Sequence, residues 1–270
     1  MTFPKRIYKY RSFDKFGLSI LTEQEIYFSS PKKCNDPKDC RIPILYEAGT
    51  EKQMYHKNFE NLKYPFPHMI RRERKEKARE LAKLIYKKRD NERLKKEFRQ
   101  SLYERHSNVG IFFASMINDN KLMWSHYADS HNGFCIEFDT DLLIRSLETY
   151  VVSGIVPIYH EINYSEKSPI INPYKLNDEQ VYMSFYFTKS IDWNYEKEYR
   201  ILIARNPNTV FKMKEKTITS IILGAKCSDD NKNRMIEILN NIPYEISLKQ
   251  MVYDDLEFDL TSEEVDYRCS

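Results

Sequence analysis

The chain reads as an α+β protein, with a mixed, mostly antiparallel sheet core and a helical insertion. Three observations predict this. Short β-rich runs recur at 7–11, 26–29, 109–114, 134–138, 199–203 and 218–223, and several are neighbours without a helix between them. A doubly wound α/β fold would alternate strand and helix regularly. Residues 50–108 are poor in β-branched side chains and rich in Lys, Arg and Glu. Their apolar residues fall at helical spacing: Ala78, Leu81, Ala82 and Ile85, then Leu94, Phe98 and Leu102. Hydrophobic residues make up 41% of the 270, and aromatics 14%, so the chain can bury a core and is not a disordered one.

Taken in order, residues 7–11 alternate as a strand. Ser12 or Asp14 can cap a helix through Leu21. Residues 26–29 form the second strand, and Ser30-Pro31 and Asn35-Asp36-Pro37 mark a loop. A short edge strand fits 42–45. Asp90-Asn91 breaks the insertion into two helices. Strand 109–114 follows, then a helix capped by Asn118 or Asp119, strand 134–138 and a helix from Asp139 or Asp141. Strand 151–159, helix 178–189, strands 199–203, 210–213 and 218–223, helix 229–239 and a last strand or pair within 244–258 complete the pattern. We expect one domain over 1–270, with 50–108 as a basic helical insertion in it.

Several classes are excluded. There are only 6 Gly, and neither GxGxxG nor GxxxxGK[ST] occurs. No apolar run approaches the ~18 residues of a membrane span, and no apolar segment follows the basic start, so we expect a cytoplasmic chain without membrane contact. Cys34, Cys40, Cys135, Cys227 and Cys269 are odd in number and widely spaced, without CxxC. Reduced thiols and no metal site are the expectation. Asp36-Pro37-Lys38-Asp39 resembles a nuclease motif only superficially, since no acid-x-Lys strand follows it.

Charge is unevenly placed. Fifteen Lys and Arg face seven Asp and Glu between 71 and 105, an excess of 8 in a chain of net charge +3, which leaves −5 elsewhere. Such a block can be an electrostatic footprint for nucleic acid, with Arg71, Arg72 and Lys75 as its leading contacts. The plainer alternative is a solvated helix carrying i,i+4 pairs such as Glu73–Lys77.

Three clusters carry more polar and aromatic residues than a plain core requires. The first joins Tyr8, Tyr10 and Arg11 to Ser29-Ser30-Pro31 and Asn35-Asp36-Pro37. An Arg at a strand end can grip a phosphate or carboxylate bidentately, whereas the Ser and Asn residues also suit an ordinary turn. The second runs from Leu122 to Gly133 and holds Trp124, Ser125, His126, Tyr127, Asp129 and His131. His126 and His131 are about 140° apart on a helix, poor joint metal ligands. Ser125, His126 and Asp129 are helix neighbours and cannot set a nucleophile against its base. The third is Trp193 to Arg200, where Glu196 and Glu198 would share one face of a strand.

In this order, Tyr8-Lys9-Tyr10-Arg11, Ser29-Ser30-Pro31, Asn35-Asp36-Pro37, Leu122 to Ala128 with His131-x-Gly133-Phe-Cys-Ile-Glu-Phe, and Trp193-x-Tyr195-Glu196-x-Glu198-Tyr199-Arg200 resemble the bacterial domain-of-unknown-function family 2971. Lys32-Lys33-Cys34 and Lys38 depart from its pattern around Asn-Asp-Pro. Membership implies no established activity. The same residues also resemble, more distantly, the ADP-ribosyltransferase-like fold, which grips NAD with residues on its first, second and a later strand. That resemblance implies NAD as substrate, with ADP-ribose passed to a nucleic-acid or protein acceptor or to water. Arg11 would clamp the pyrophosphate, Ser30 orient the ribose and Glu198 stabilise an oxocarbenium-like transition state. Tyr10, Ser29, Trp124, Tyr127, His131 and Tyr195 would contact the cofactor. The competing reading is a non-catalytic module using the basic helices.

Overall fold

A computed structural model describes residues 3–40, 45–46, 49–106, 108–150, 154, 156–172, 174–254 and 259–267. In chain order the elements begin β1 (Arg6–Arg11), α1 (Lys15–Thr22), β2 (Glu25–Phe28), β3 (Leu45–Tyr46), α2 (Glu51–Asn61), α3 (Arg71–Lys87), α4 (Glu92–His106) and β4 (Val109–Ser115). They continue as α5 (Lys121–Tyr127), β5 (Phe134–Asp139), α6 (Thr140–Glu148), β6 (Pro157–Glu161), β7 (Asn163–Ser165), β8 (Ile170–Ile171), α7 (Asp178–Tyr186) and β9 (Thr188–Ser190). β10 (Glu198–Ala204), β11 (Thr209–Lys212), β12 (Ile218–Leu223), α8 (Asp229–Asn240), β13 (Ser247–Tyr253) and β14 (Leu260–Glu264) follow. Two compact units emerge: Met1–Lys33 with Asn108–Ile162 and Ile191–Ser270, and Cys34–Ser107 with Asn163–Ser190. The helices expected at 50–108 fall in the second unit, together with 34–49 and 163–190.

The first unit is built on an eight-stranded sheet of order β14-β13-β12-β5-β1-β4-β10-β6. Only the β12–β13 pair is parallel, so the mostly antiparallel α+β class holds. One face carries Ile7, Phe112, Phe134, Ile136, Phe138, Ile201, Ile203 and Ile221, packed against Leu18 and Leu21 of α1, Leu143 and Leu147 of α6, and Met235 and Leu239 of α8. Each such side chain contributes roughly 1.5–3 kcal/mol when fully buried, so this face supplies most of the unit's hydrophobic drive. The opposite face carries Tyr10, Cys135 and Ile222 under Met123, Trp124 and Ala128. Asp14, Asp139 and Ser228 cap α1, α6 and α8 through side-chain oxygens.

β1 and β4 share a single register pair, Tyr8 with Ser115. Past it the ladder stops, and Lys9 Nζ donates to the Phe113 carbonyl across the opening. Ser29, just beyond β2, exchanges two 2.8 Å backbone bonds with Ile111 farther along β4.

In the second unit α2 and α3 pack closely over Met54, Ala78 and Ala82. A capping box of Thr50 and Gln53 opens α2. Ribbons β3–β8 and β7–β9 are both parallel.

Some boundaries differ from expectation. Asn120, not Asn118 or Asp119, caps α5, its Oδ1 taking the amides of Leu122 and Met123. The helix expected at 178–189 ends at Tyr186, and Thr188–Ser190 pair with β7 instead; tertiary pairing overrides the helical pattern. The final pair extends to Glu264. The strand read at 42–45, much of that at 151–159, the side chains of Leu94, Phe98 and Leu102, and Cys269 lie wholly or partly outside the described residues.

Candidate functional site

Strand alternation decides which candidates can meet. Glu198 pairs with Ser115, and Ser115 with Tyr8, so these three share a face. Arg11 lies three residues past Tyr8 and pairs with Phe134, a core residue of the other face. By strand alternation Arg11 starts from the opposite face to Glu198, although the β1–β4 ladder has ended there and Lys9, between the two, lies within electrostatic reach of both. Arg11 also lies within electrostatic reach of Asp14 at the head of α1, and burial lowers its pKa. Its buried Nε has no hydrogen-bond partner among the described residues.

The two serines serve the turn. Ser29 holds the backbone bridge to Ile111. Buried Ser30 accepts the Lys32 amide through Oγ at 3.3 Å, tying the 3-10 turn Pro31–Lys33.

Three of the residues expected to contact a cofactor are packing residues. Trp124 is 0% exposed; its ring meets Tyr10 edge-on at 5.2 Å and stacks with His131 at 6.5 Å. Its Nε1–H donates to the Asn118 carbonyl at 2.7 Å, and Tyr10 Oη donates to that of Ile117 at 3.0 Å. No ring face of Trp124 is left for a base to stack on. Burial first, and Lys226 next, hold the His131 pKa below its usual range.

Asp129, Ser130 and His131 are three consecutive residues at positive φ, 49°, 52° and 71°. Left-handed backbone costs roughly 1–2 kcal/mol per non-glycine residue, so this turn needs support. The His131 amide bonds the Trp124 carbonyl, the Gly133 amide that of Ala128, and the Lys226 amide that of His131. Gly133 is required here by close approach, because a Cβ would sit 2.2 Å from the Arg11 carbonyl oxygen.

What does converge is a charged network where α5 meets the 3-10 segment Ile191–Glu196 and β10. Tyr127 Oη donates to Glu196 Oε1 at 2.6 Å, and Ser115 Oγ to the Glu196 carbonyl at 2.7 Å. Glu198 accepts from Arg200 at both carboxylate oxygens, 2.5 Å from Nε and 3.1 Å from Nη2. Glu196, Glu198 and Arg200 are all buried. The Arg200 guanidinium lies 5.2 Å from the Phe113 ring centre, and Lys9 Nζ 5.9 Å. Burial, then Arg11, drives the Lys9 pKa well below its usual value, against the pull of Glu198 and Glu196. Half-buried Tyr195 and exposed His126 meet at 6.2 Å beside the network. Lys9, Ser115 and Arg200 were not among the candidate site residues. A lysine inside an apolar alternation was the available signal for Lys9; Ser115 carried none.

In the second unit Arg71 and Arg72 are exposed on α3, and Lys75 is half-buried. Arg72 pairs with Glu76 at 3.5 Å, and Arg74 and Arg79 lie over Phe59 and Tyr55.

The first unit is thus an α+β protein whose sheet encloses a charged network beside a strained turn. A model of a family of proteins of unknown function, DUF2971, matches residues 123–201, from α5 into β10. No curated protein and no solved structure matches the chain. Among the described residues, no helix is long and apolar enough to cross a membrane.

Proposed function

We propose that the protein binds a polyanion, nucleic acid above all, through the exposed face of α3. Supporting it is the placement of Arg72, Arg79, Lys83 and Lys87, all exposed. Steps of seven, four and four residues keep them within an arc of about 80°, along roughly 22 Å of helix. Glu76 is the one acid in that stripe, and Arg72 already pairs with it. The network around Glu198 offers an anion far less: its carboxylates are buried and Arg200 is enclosed. The test is fluorescence anisotropy with single- and double-stranded oligonucleotides over a salt series. Log affinity should fall linearly with log salt, by about 0.9 per phosphate neutralised on duplex. Reversing Arg72, Lys83 and Lys87 to Glu should weaken binding on the order of 100-fold, while Arg234→Glu in the first unit should not. Salt-independent binding, or binding that survives the triple reversal, would remove the proposal.

A second reading is an enzyme that binds NAD, breaks its nicotinamide–ribose bond and passes ADP-ribose to a macromolecule or to water. It rests on Glu198, on Glu196 held by Tyr127, and on the ring of Tyr195 beside them. On this reading Glu198→Gln lowers nicotinamide release on the order of 10²–10³-fold. Wild-type protein that releases none, with or without nucleic-acid and protein acceptors, ends it.

A further inference from the structure

We propose that Cys34, Asp39 and Cys40 form a zinc site, with the metal's fourth position open to solvent or a small ligand. This is independent of the polyanion reading, which concerns a different surface of the same unit.

The ligand atoms of the three residues lie within 4.8 Å of one another. Tetrahedral zinc, with Zn–S of ~2.3 Å and Zn–O of ~2.0–2.2 Å, sets ligand atoms about 3.5–3.8 Å apart. Cys40 Sγ and Asp39 Oδ1 already stand 3.5 Å apart. Cys34 therefore needs a side-chain shift of about an ångström at most. Asp39 and Cys40 are nearly enclosed, at 3% and 2% exposure, unlike the exposed acids that cluster on many surfaces without a metal. Cys34 is half-buried and gives the ion its approach.

The loop presents these groups at a conformational cost. Cys40 takes φ 53°, which a non-glycine residue adopts only when its surroundings demand it. The turn before it is fixed by Asp36: its side chain accepts the Lys38 amide at 2.8 Å, and its carbonyl the Asp39 amide at 3.0 Å. The Asn-Asp-Pro motif thus spaces the two cysteines.

The second carboxylate oxygen of Asp39 faces elsewhere. Lys189 Nζ, itself buried, stands 3.7 Å from Oδ2. A ligating carboxylate is ordinarily held this way by an outer partner. Charge also balances. The Asp39–Lys189 pair is neutral, and Zn²⁺ binding to two thiols forms two Zn–S bonds and releases two protons, leaving a neutral Zn–dithiolate. A cavity of about 140 Å³ lined by Asp36, Asp39, Ser165, Thr188 and Lys189 adjoins the site. Its presence beside Asp39 is why the fourth position is assigned to solvent rather than to a protein side chain.

The experiment uses the full chain, purified reduced, stripped with chelator and titrated with Zn²⁺ or Co²⁺. One zinc should bind per chain, and Co²⁺ should give a near-ultraviolet thiolate-to-metal charge-transfer band with visible bands of tetrahedral intensity. Cys34→Ser and Cys40→Ser should each weaken cobalt binding by about 100-fold and diminish the band, whereas Cys227→Ser should leave both unchanged. Zinc content well below one per reduced chain, absence of the band, or a Cys34→Ser variant with wild-type affinity overturns the proposal. The wild-type spectrum decides the matter even where a variant fails to fold.

Discussion

Arg200→Met should lower the unfolding free energy of the first unit by about 3–5 kcal/mol. Arg200 is wholly buried and chelates Glu198, which is 4% exposed, through two hydrogen bonds. Removing the guanidinium takes both of its hydrogen bonds and its charge from a carboxylate that is enclosed away from water. That penalty, rather than the net worth of the pair, sets the size of the effect. Changing both partners, Glu198→Gln with Arg200→Met, should recover most of the loss, because neither remaining side chain carries a charge. Urea unfolding followed by tryptophan fluorescence makes the measurement, since both of the chain's tryptophans, Trp124 and Trp193, lie in the first unit and report it alone. An Arg200→Met protein within 1 kcal/mol of wild type would mean that water or another cation reaches Glu198. The double variant also separates roles: its fold should survive while any NAD cleavage that depends on the Glu198 charge is lost.

The fold was legible where hydrophobic period and side-chain chemistry agreed. Strand β5 pairs a nearly unbroken apolar run with a capping Asp139, and the insertion showed helical spacing at Ala78 and Ala82, both of which are buried. It was less legible where partners outside the segment decide. Thr188–Ser190 become a strand only because β7 is there to pair with them. The candidate site was read from residue types in chain order, and that order does not contain the facing of a strand. Tyr10 and Arg11 are adjacent in sequence, yet one sits under Trp124 and the other pairs with Phe134 toward the main core. The shared strand face expected for Glu196 and Glu198 did not form, because Glu196 ends the 3-10 segment, Lys197 turns at φ 43°, and β10 begins only at Glu198. Nor could the chain order alone relate Lys189 to Asp39, 150 residues apart, although the two are an ion pair.

Trp124→Ala should cost about 3–5 kcal/mol, and Trp124→Phe less. The indole is the largest fully buried side chain, closed in by Tyr10 and His131, and its truncation leaves a cavity that the strained turn at Asp129–Ser130–His131 cannot collapse to fill without losing its own hydrogen bonds. Phenylalanine keeps most of the ring but orphans the Asn118 carbonyl that Nε1 now satisfies, a loss of about 1–3 kcal/mol. Trp193 remains as the fluorescent probe in both variants. A tryptophan that stacked on a ligand would behave oppositely: its replacement would spare stability and weaken binding. Stability of Trp124→Ala close to wild type, with reduced affinity for a nucleotide, would therefore show that the aromatic cluster opens to a ligand. Loss of stability at unchanged α3-dependent binding of oligonucleotide is the expected pair of results, because the burial that makes Trp124 indispensable to its unit is also what withholds it from any base.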